Sequence, residues 1–176
     1  MIRKFCLFLF LGSCWAFAQS GGVINGTRGF PAPNDSTTGT TLNSTAVIDS
    51  AGQAILAGTS NTNVPTYIVV GGAGTSGNGT LASLGTLAPC TMDATIASGA
   101  GGYYVVNSTT VAGDCHPQSA APSAGTWVIG FLAVSSTTSG STALVAVDGF
   151  IYGGSGSSGV TSFNTRTGAV VPASGD

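Results

Sequence analysis

Apolar residues along this chain come in short runs set between turn-forming clusters. From residue 45 onward the runs are Ala46-Val47-Ile48, Ala54-Ile55-Leu56, Tyr67-Ile68-Val69-Val70, Tyr103-Tyr104-Val105-Val106, Trp127 through Val134, and Ala143-Leu144-Val145-Ala146-Val147. Each has the length of a strand and is rich in β-branched or aromatic residues, and Gly, Pro, Asn, Asp or Ser clusters separate them. Helical patterning is scarce, because few windows of about eleven residues escape a Gly or Pro. The one helix candidate, Leu81 to Leu87, is kept short by Gly85 and Pro89. The pattern predicts an all-β fold, a small barrel or sandwich of short strands over residues 45–152. Trp127, Tyr103, Tyr104 and Phe131 are the expected core anchors.

The flanks read differently. Residues 19–44 are rich in Gly, Ser, Thr, Asn and Pro, the composition of a linker or loosely packed arm. Residues 153–159, Gly-Gly-Ser-Gly-Ser-Ser-Gly, are a flexible linker, and a short strand-prone segment, 160–176, follows. At the other end, Arg3 and Lys4 precede an apolar run, Phe5 to Leu11, too short to span a bilayer. Ala16-Phe17-Ala18 then supplies a small-x-small cleavage pattern, so residues 1–18 read as a secretory signal helix cut between Ala18 and Gln19. Leu11-Gly12-Ser13-Cys14 also fits a bacterial lipobox, a competing route that would tether the chain through Cys14. The expected location is extracellular, cell-surface or periplasmic, with no membrane span after cleavage.

Charge narrows the partners. After residue 18 the chain has no Lys and no Glu, its cations are Arg28 and Arg166, and its acids are Asp35, Asp49, Asp93, Asp114, Asp148 and Asp176. Nucleic acid is excluded, because phosphate contacts need several Lys or Arg. Docking on an anionic membrane surface is disfavoured for the same reason. Cleavage also leaves two cysteines, Cys90 and Cys115, and in an oxidising compartment a disulfide between them is the default.

Candidate chemistry is thin. Tyr67 to Val70 leads into Gly72-Ala73-Gly74-Thr75-Ser76-Gly77, which matches a G-x-G-x-x-G fingerprint. The following Asn78-Gly79-Thr80 starts a turn rather than the helix that would receive a pyrophosphate. Asp114-Cys115-His116 has the look of a metal or nucleophile cluster, but a zinc site needs about four ligands, and His116 is the only histidine. Its expected reading is a disulfide with a bystander histidine on a turn before Pro117. No G-x-S-x-G elbow is present for a serine nucleophile. No catalytic residue, metal or cofactor is therefore assigned. Asn-x-Ser/Thr sequons stand at Asn25, Asn34, Asn43, Asn78 and Asn107.

Two stretches resemble known modules. The body runs through Asn34 to Asn43, Ile68 to Gly77, Cys90-Thr91-Met92-Asp93, Ser108 to His116 and Gly125 to Gly130. That succession resembles a β module recurring in exported bacterial proteins and phage-like fibre proteins. Its order of strands and turns also resembles capsid-decoration-type modules. The segment Val160 to Asp176, with Ser162-Phe163-Asn164-Thr165-Arg166-Thr167-Gly168-Ala169-Val170, resembles the "SFNGRTGAV…GDY" joint of phage tail fibres, with Thr165 in place of the usual Gly. The resemblance implies a homotrimer, a joint built on Phe163, Asn164, Arg166 and Gly168, and a distal part truncated here. It also suggests a pairing of Arg166 with an acid such as Asp176, or with a carbonyl of a neighbouring chain.

The expectation is thus a non-catalytic, secreted or cell-surface structural or adhesive module. Two alternatives stand beside it. One is a carbohydrate- or surface-binding module using Tyr103, Tyr104, Trp127 and Tyr152 against a surface glycan. The other is the N-terminal part of a larger exported enzyme acting on polysaccharide.

Overall fold

Branched and aromatic side chains are restricted at χ1 and pack well on a pleated surface, so the apolar runs become strands. The computed structural model describes residues 28–97 and 103–153, and the backbone of 162–163 and 166–167. The first sheet contains β1 (Gly29–Pro33), β2 (Thr45–Ile48), β3 (Ala54–Leu56), β4 (Thr66–Gly71) and β5 (Asn78–Ala82), in the order β1-β5-β4-β2-β3. The second contains β6 (Leu87–Thr91), β7 (Tyr104–Asn107), β8 (Cys115–Gln118), β9 (Trp127–Leu132) and β10 (Thr142–Ile151), in the order β6-β10-β9-β7-β8. Every pairing between these strands is antiparallel. The fold is an all-β sandwich.

The main core lies inside the second sheet and against one face of the first. Cys90, Met92, Val105, Cys115, Ile129 and Val145 pack there with Ile68, Val70 and Ala82 from β4 and β5. A smaller cluster on the other face of the first sheet joins Ala32, Ala46, Ala54, Val69 and Leu81. Burial of the larger of these side chains contributes about 1.5–3 kcal/mol each.

The second sheet is strongly curled. Its outermost strands are β6 and β8, and the edges of a flat five-stranded sheet would lie about 19 Å apart. Yet Cys90 on β6 and Cys115 on β8 are disulfide-bonded, with their Cα atoms 6.1 Å apart. Beyond β6, Met92 bridges Cys115 and the Asp93 amide donates to the Cys115 carbonyl at 3.0 Å. The sheet therefore bends until its edges meet, joined by a disulfide and one bridge rather than by a closed ladder. Two bulges assist the bend, one between Val105 and Val106 and one between Val147 and Phe150. Gly130 lies between them, where a Cβ would collide with the Ala146 carbonyl.

Several expectations are corrected. The arm expected over residues 19–44 is not loosely packed in its second half: Gly29–Pro33 forms an edge strand on β5, and Asn34 and Thr40 are buried. Leu81 to Leu87 is not a helix. Leu81 and Ala82 end β5, and Leu87 begins β6. Tyr104 and Phe131 do not anchor the core but lie partly exposed on the second sheet's outer face, because alternate strand positions face opposite sides. Tyr103 and Trp127 pack at the core's margin. Its fully buried large side chains are instead Ile68, Leu81, Met92 and Ile129. Farther along, β11 (Ser162–Phe163) pairs antiparallel with β12 (Arg166–Thr167).

Candidate functional site

Two places combine unusual chemistry with accessible position. The first grows from the Asp114-Cys115-His116 sequence. His116 is not on a turn but in β8, opposite Val106. Its Nδ1 lies 2.8 Å from Asp93 Oδ1, so it is a partner of Asp93 rather than a bystander. The Asp93 side chain is 2% exposed and that of His116 is 39% exposed. Asp93 Oδ2 also accepts from the hydroxyls of Ser108 at 2.5 Å and Thr110 at 3.2 Å. Asp114 stands close by; burial pushes its carboxyl above the ordinary value, and the charge of Asp93 adds to the effect.

Serine, histidine and aspartate thus meet, but in the wrong order for a nucleophile. In a catalytic triad the hydroxyl bonds the imidazole. Here the Ser108 hydroxyl donates to the carboxylate and accepts from the amides of Thr110 and Val111, at 3.0 and 2.9 Å. Ser108 is fully buried. The cluster clasps the β7–β8 turn onto the segment after β6, beside the disulfide. Among the described residues, no group of three or more His, Cys, Asp or Glu is placed to hold a metal ion.

The second place is the outer face of the curled sheet. Register puts Leu87, Ala146, Phe131, Tyr104 and Gln118 in one row across all five strands. Phe150, Val128, Val106 and His116 form the adjacent row. Tyr104 packs on Phe131 with ring centroids 5.4 Å apart and meets Tyr152 edge-on at 5.7 Å, while Phe131 and Phe150 are 6.0 Å apart. These rings are each half-buried. Leu87 and Leu144, toward the β6 edge, are 48% and 41% exposed. The face is apolar and aromatic over most of its breadth, and Gln118 ends the row with an amide.

The sequence-derived sites fare unevenly. Cys90 and Cys115 are bonded as expected. The expected glycan platform divides: Tyr104 and Tyr152 share the outer face, whereas Tyr103 and Trp127 pack against the interior. The glycine-rich stretch 72–77 links β4 to β5, and its carbonyls receive the buried side chain of Asn34, whose Nδ2 donates to Gly72 at 2.7 Å and Ser76 at 3.0 Å. In the expected joint, Phe163 pairs with Arg166 across β11 and β12; Asn164 and Gly168 lie outside the described residues, as do Ala18, Gln19 and Asp176.

Sequence reasoning missed two hubs. Asn34 accepts from Thr40 Oγ1 at 2.7 Å while bonding the glycine loop. Asn107, on β7, accepts from Thr45 of β2 at 2.7 Å and donates to the Gly58 carbonyl at 2.8 Å, so it ties the two sheets together. Both are sequon asparagines, and both side chains are committed inside the fold. The Asn-x-Ser/Thr pattern was the only signal that marked them.

Among the described residues no helix is long and apolar enough to cross a membrane. No family model matches the chain, and neither a curated protein nor a solved structure matches it.

Proposed function

We propose that this chain is an exported, non-catalytic structural or adhesive module that self-associates through the outer face of its curled sheet. The observation that carries the reading is the partly exposed row of Leu87, Ala146, Phe131 and Tyr104, with Leu144 and Phe150 beside it. A contiguous apolar face of this kind favours contact with another surface over exposure to water. The chain's scarcity of charge favours a copy of itself as partner: neither Lys nor Glu occurs after residue 18 to repel or orient another molecule. The resemblance of residues 160–176 to a trimeric fibre joint supports three copies, and the signal-like N-terminus supports export. The disulfide fits an oxidising compartment.

Sedimentation equilibrium of the mature chain tests the proposal. The expected result is a three-chain mass at micromolar concentration, falling to one chain in Leu144→Glu. A single-chain mass at every concentration would contradict it. A second reading, surface binding through Tyr104 and Tyr152, is favoured by the edge-to-face contact of those half-buried rings at one end of the face.

A further inference from the structure

Beside the Gln118 end of the aromatic row lie two adjoining hollows, of about 350 and 470 Å³, which share Thr62, Ser123 and Thr126. Together they form a shallow groove between the 60–63 loop and the 118–126 segment. Each falls within the range of about 300–1,000 Å³ common for small-ligand sites. We infer that this groove binds a neutral oligosaccharide. The inference deepens the adhesive reading above, and rests on it only for the idea that the chain meets foreign surfaces.

The lining decides the ligand class. Ser60, Thr62, Asn63, Thr109, Ser123 and Thr126 present hydroxyls or an amide, and none of these side-chain groups is engaged with another described residue. Gln118 spends its Nε2 on the Ala120 carbonyl at 3.0 Å, which leaves its Oε1 as an acceptor. Hydroxyls both donate and accept, which is what the hydroxyls of a sugar require. No charged side chain lines either hollow. A phosphate, sulfate or uronate would find no counter-charge there. A purely apolar ligand would strand the uncommitted polar groups.

The groove is also held in place by hydrogen bonds from neighbouring residues. The Trp127 amide donates to the Thr62 carbonyl at 2.7 Å, and the Trp127 indole donates to the Thr66 carbonyl at 3.2 Å, fixing one wall. Gly125 donates to the Tyr152 carbonyl and Tyr152 to the Thr126 carbonyl, both at 2.8 Å, fixing the other. A preformed site avoids much of the ordering cost of binding. Tyr104 stands opposite Gln118 in register, and its ring meets that of Tyr152. Gln118 lines one hollow, so register places the Tyr104–Tyr152 pair one strand over from the polar lining, an aromatic surface suited to the C–H face of a pyranose ring.

The test uses the mature full chain on an array of neutral hexose and N-acetylhexosamine oligosaccharides, with heparin and alginate oligomers as anionic controls. Hits are then measured by titration calorimetry. At least one neutral oligosaccharide is expected to bind and the anionic ones are not. Losing two neutral hydrogen bonds in Thr109→Ala/Gln118→Ala should weaken binding about tenfold. Ser123→Trp, which fills the groove from an exposed position, should abolish it, while Leu144→Glu leaves it unchanged. Thermal melting checks that each variant is folded. Absence of any neutral hit with folded protein, a preference for the anionic oligomers, or affinity unmoved by folded groove variants would overturn the inference. Self-association surviving any of those results would leave the structural reading intact, so the two failures are separable.

Discussion

The two sheets have the same number of strands and the same antiparallel pairing, but they are secured by a different balance of means. The first is held by polar side chains and small residues: Asn34 plugs the 72–77 loop, and alanines pack its smaller cluster. Gly39 and Gly72 each lie so close to a neighbouring carbonyl, that of Gly74 or Asn78, that a Cβ would collide with it. The second has polar ties too, at Asp93 and Asn107, but adds covalent and aromatic ones. A disulfide joins its two edges, and Tyr104, Phe131, Phe150 and Tyr152 layer its outside. With few charges available, the chain manages its sheet edges without the exposed lysines that commonly protect them. Both sheets leave apolar side chains at their outer faces, but the first offers mainly Phe30 beside Tyr67, whereas the second carries Leu87, Leu144 and a row of four aromatic rings. That difference is why the proposed self-association is assigned to the second sheet.

The largest effect should come from cutting the staple. In the chain-entropy view a 25-residue separation makes the disulfide worth about 3.5 kcal/mol. Cys90→Ala/Cys115→Ala should lower stability by about that amount in urea unfolding. Native-state hydrogen exchange should accelerate first in β6 and β8 and least in β4 and β5. Equal acceleration in both sheets would show that curling of the second is not sustained by the staple.

Next is the tie between the sheets. Asn107→Ala removes one acceptor for Thr45 and one donor for Gly58 in a buried setting, and should cost about 2–3 kcal/mol. Asn34→Ala should cost a similar amount but loosen only the 72–77 loop and the Thr40 segment beside it, which amide exchange would resolve. Leu144→Glu, compared with the parent at a concentration where both are single chains, should leave the melting temperature within about 2 °C, as suits a surface change, while disrupting self-association on a sizing column at higher concentration.

The smallest effect concerns Asp114. Its carboxyl is held above the ordinary value, chiefly by burial and further by Asp93. A raised carboxyl pKa favours the protonated folded state. Its contribution is therefore fully present below the unfolded value near 3.8 and is lost as pH rises through the folded value. Asp114→Asn should stabilise the protein at pH 7, by about 0.5 kcal/mol or less after solvent screening, and the gain should vanish near pH 3. A destabilised variant at pH 7 would mean that the ionised carboxylate has a favourable partner.

The sequence was informative where side chains repeat and uninformative where single residues act. β2, β3, β4, β7, β9 and β10 each coincide with an apolar run. β1, β6 and β8 did not stand out, because they contain Pro31 and Pro33, Pro89, and Pro117. All three lie at sheet edges, where a residue without an N–H is tolerated. β5 was hidden by Asn78 and Gly79 in its first half. The cysteine pair was legible because only two thiols remain after residue 18. The Asp93–His116 contact was not, because its partners lie 23 residues apart and periodicity does not report side-chain convergence. The outer-face row was likewise invisible: it needs the register of five strands, and three of their four pairings cross in sequence or pass a bulge.

Hydroxyl-radical footprinting of residues 19–176 over a concentration series compares the two sheets directly. Protection is expected to rise with concentration at Leu87, Phe131, Leu144 and Phe150, while Phe30 and Tyr67 of the first sheet, whose rings meet at 5.2 Å, react unchanged. Protection confined to Phe30 and Tyr67, or absent from both sheets while the mass rises, would contradict the assignment of the curled sheet as the contact face.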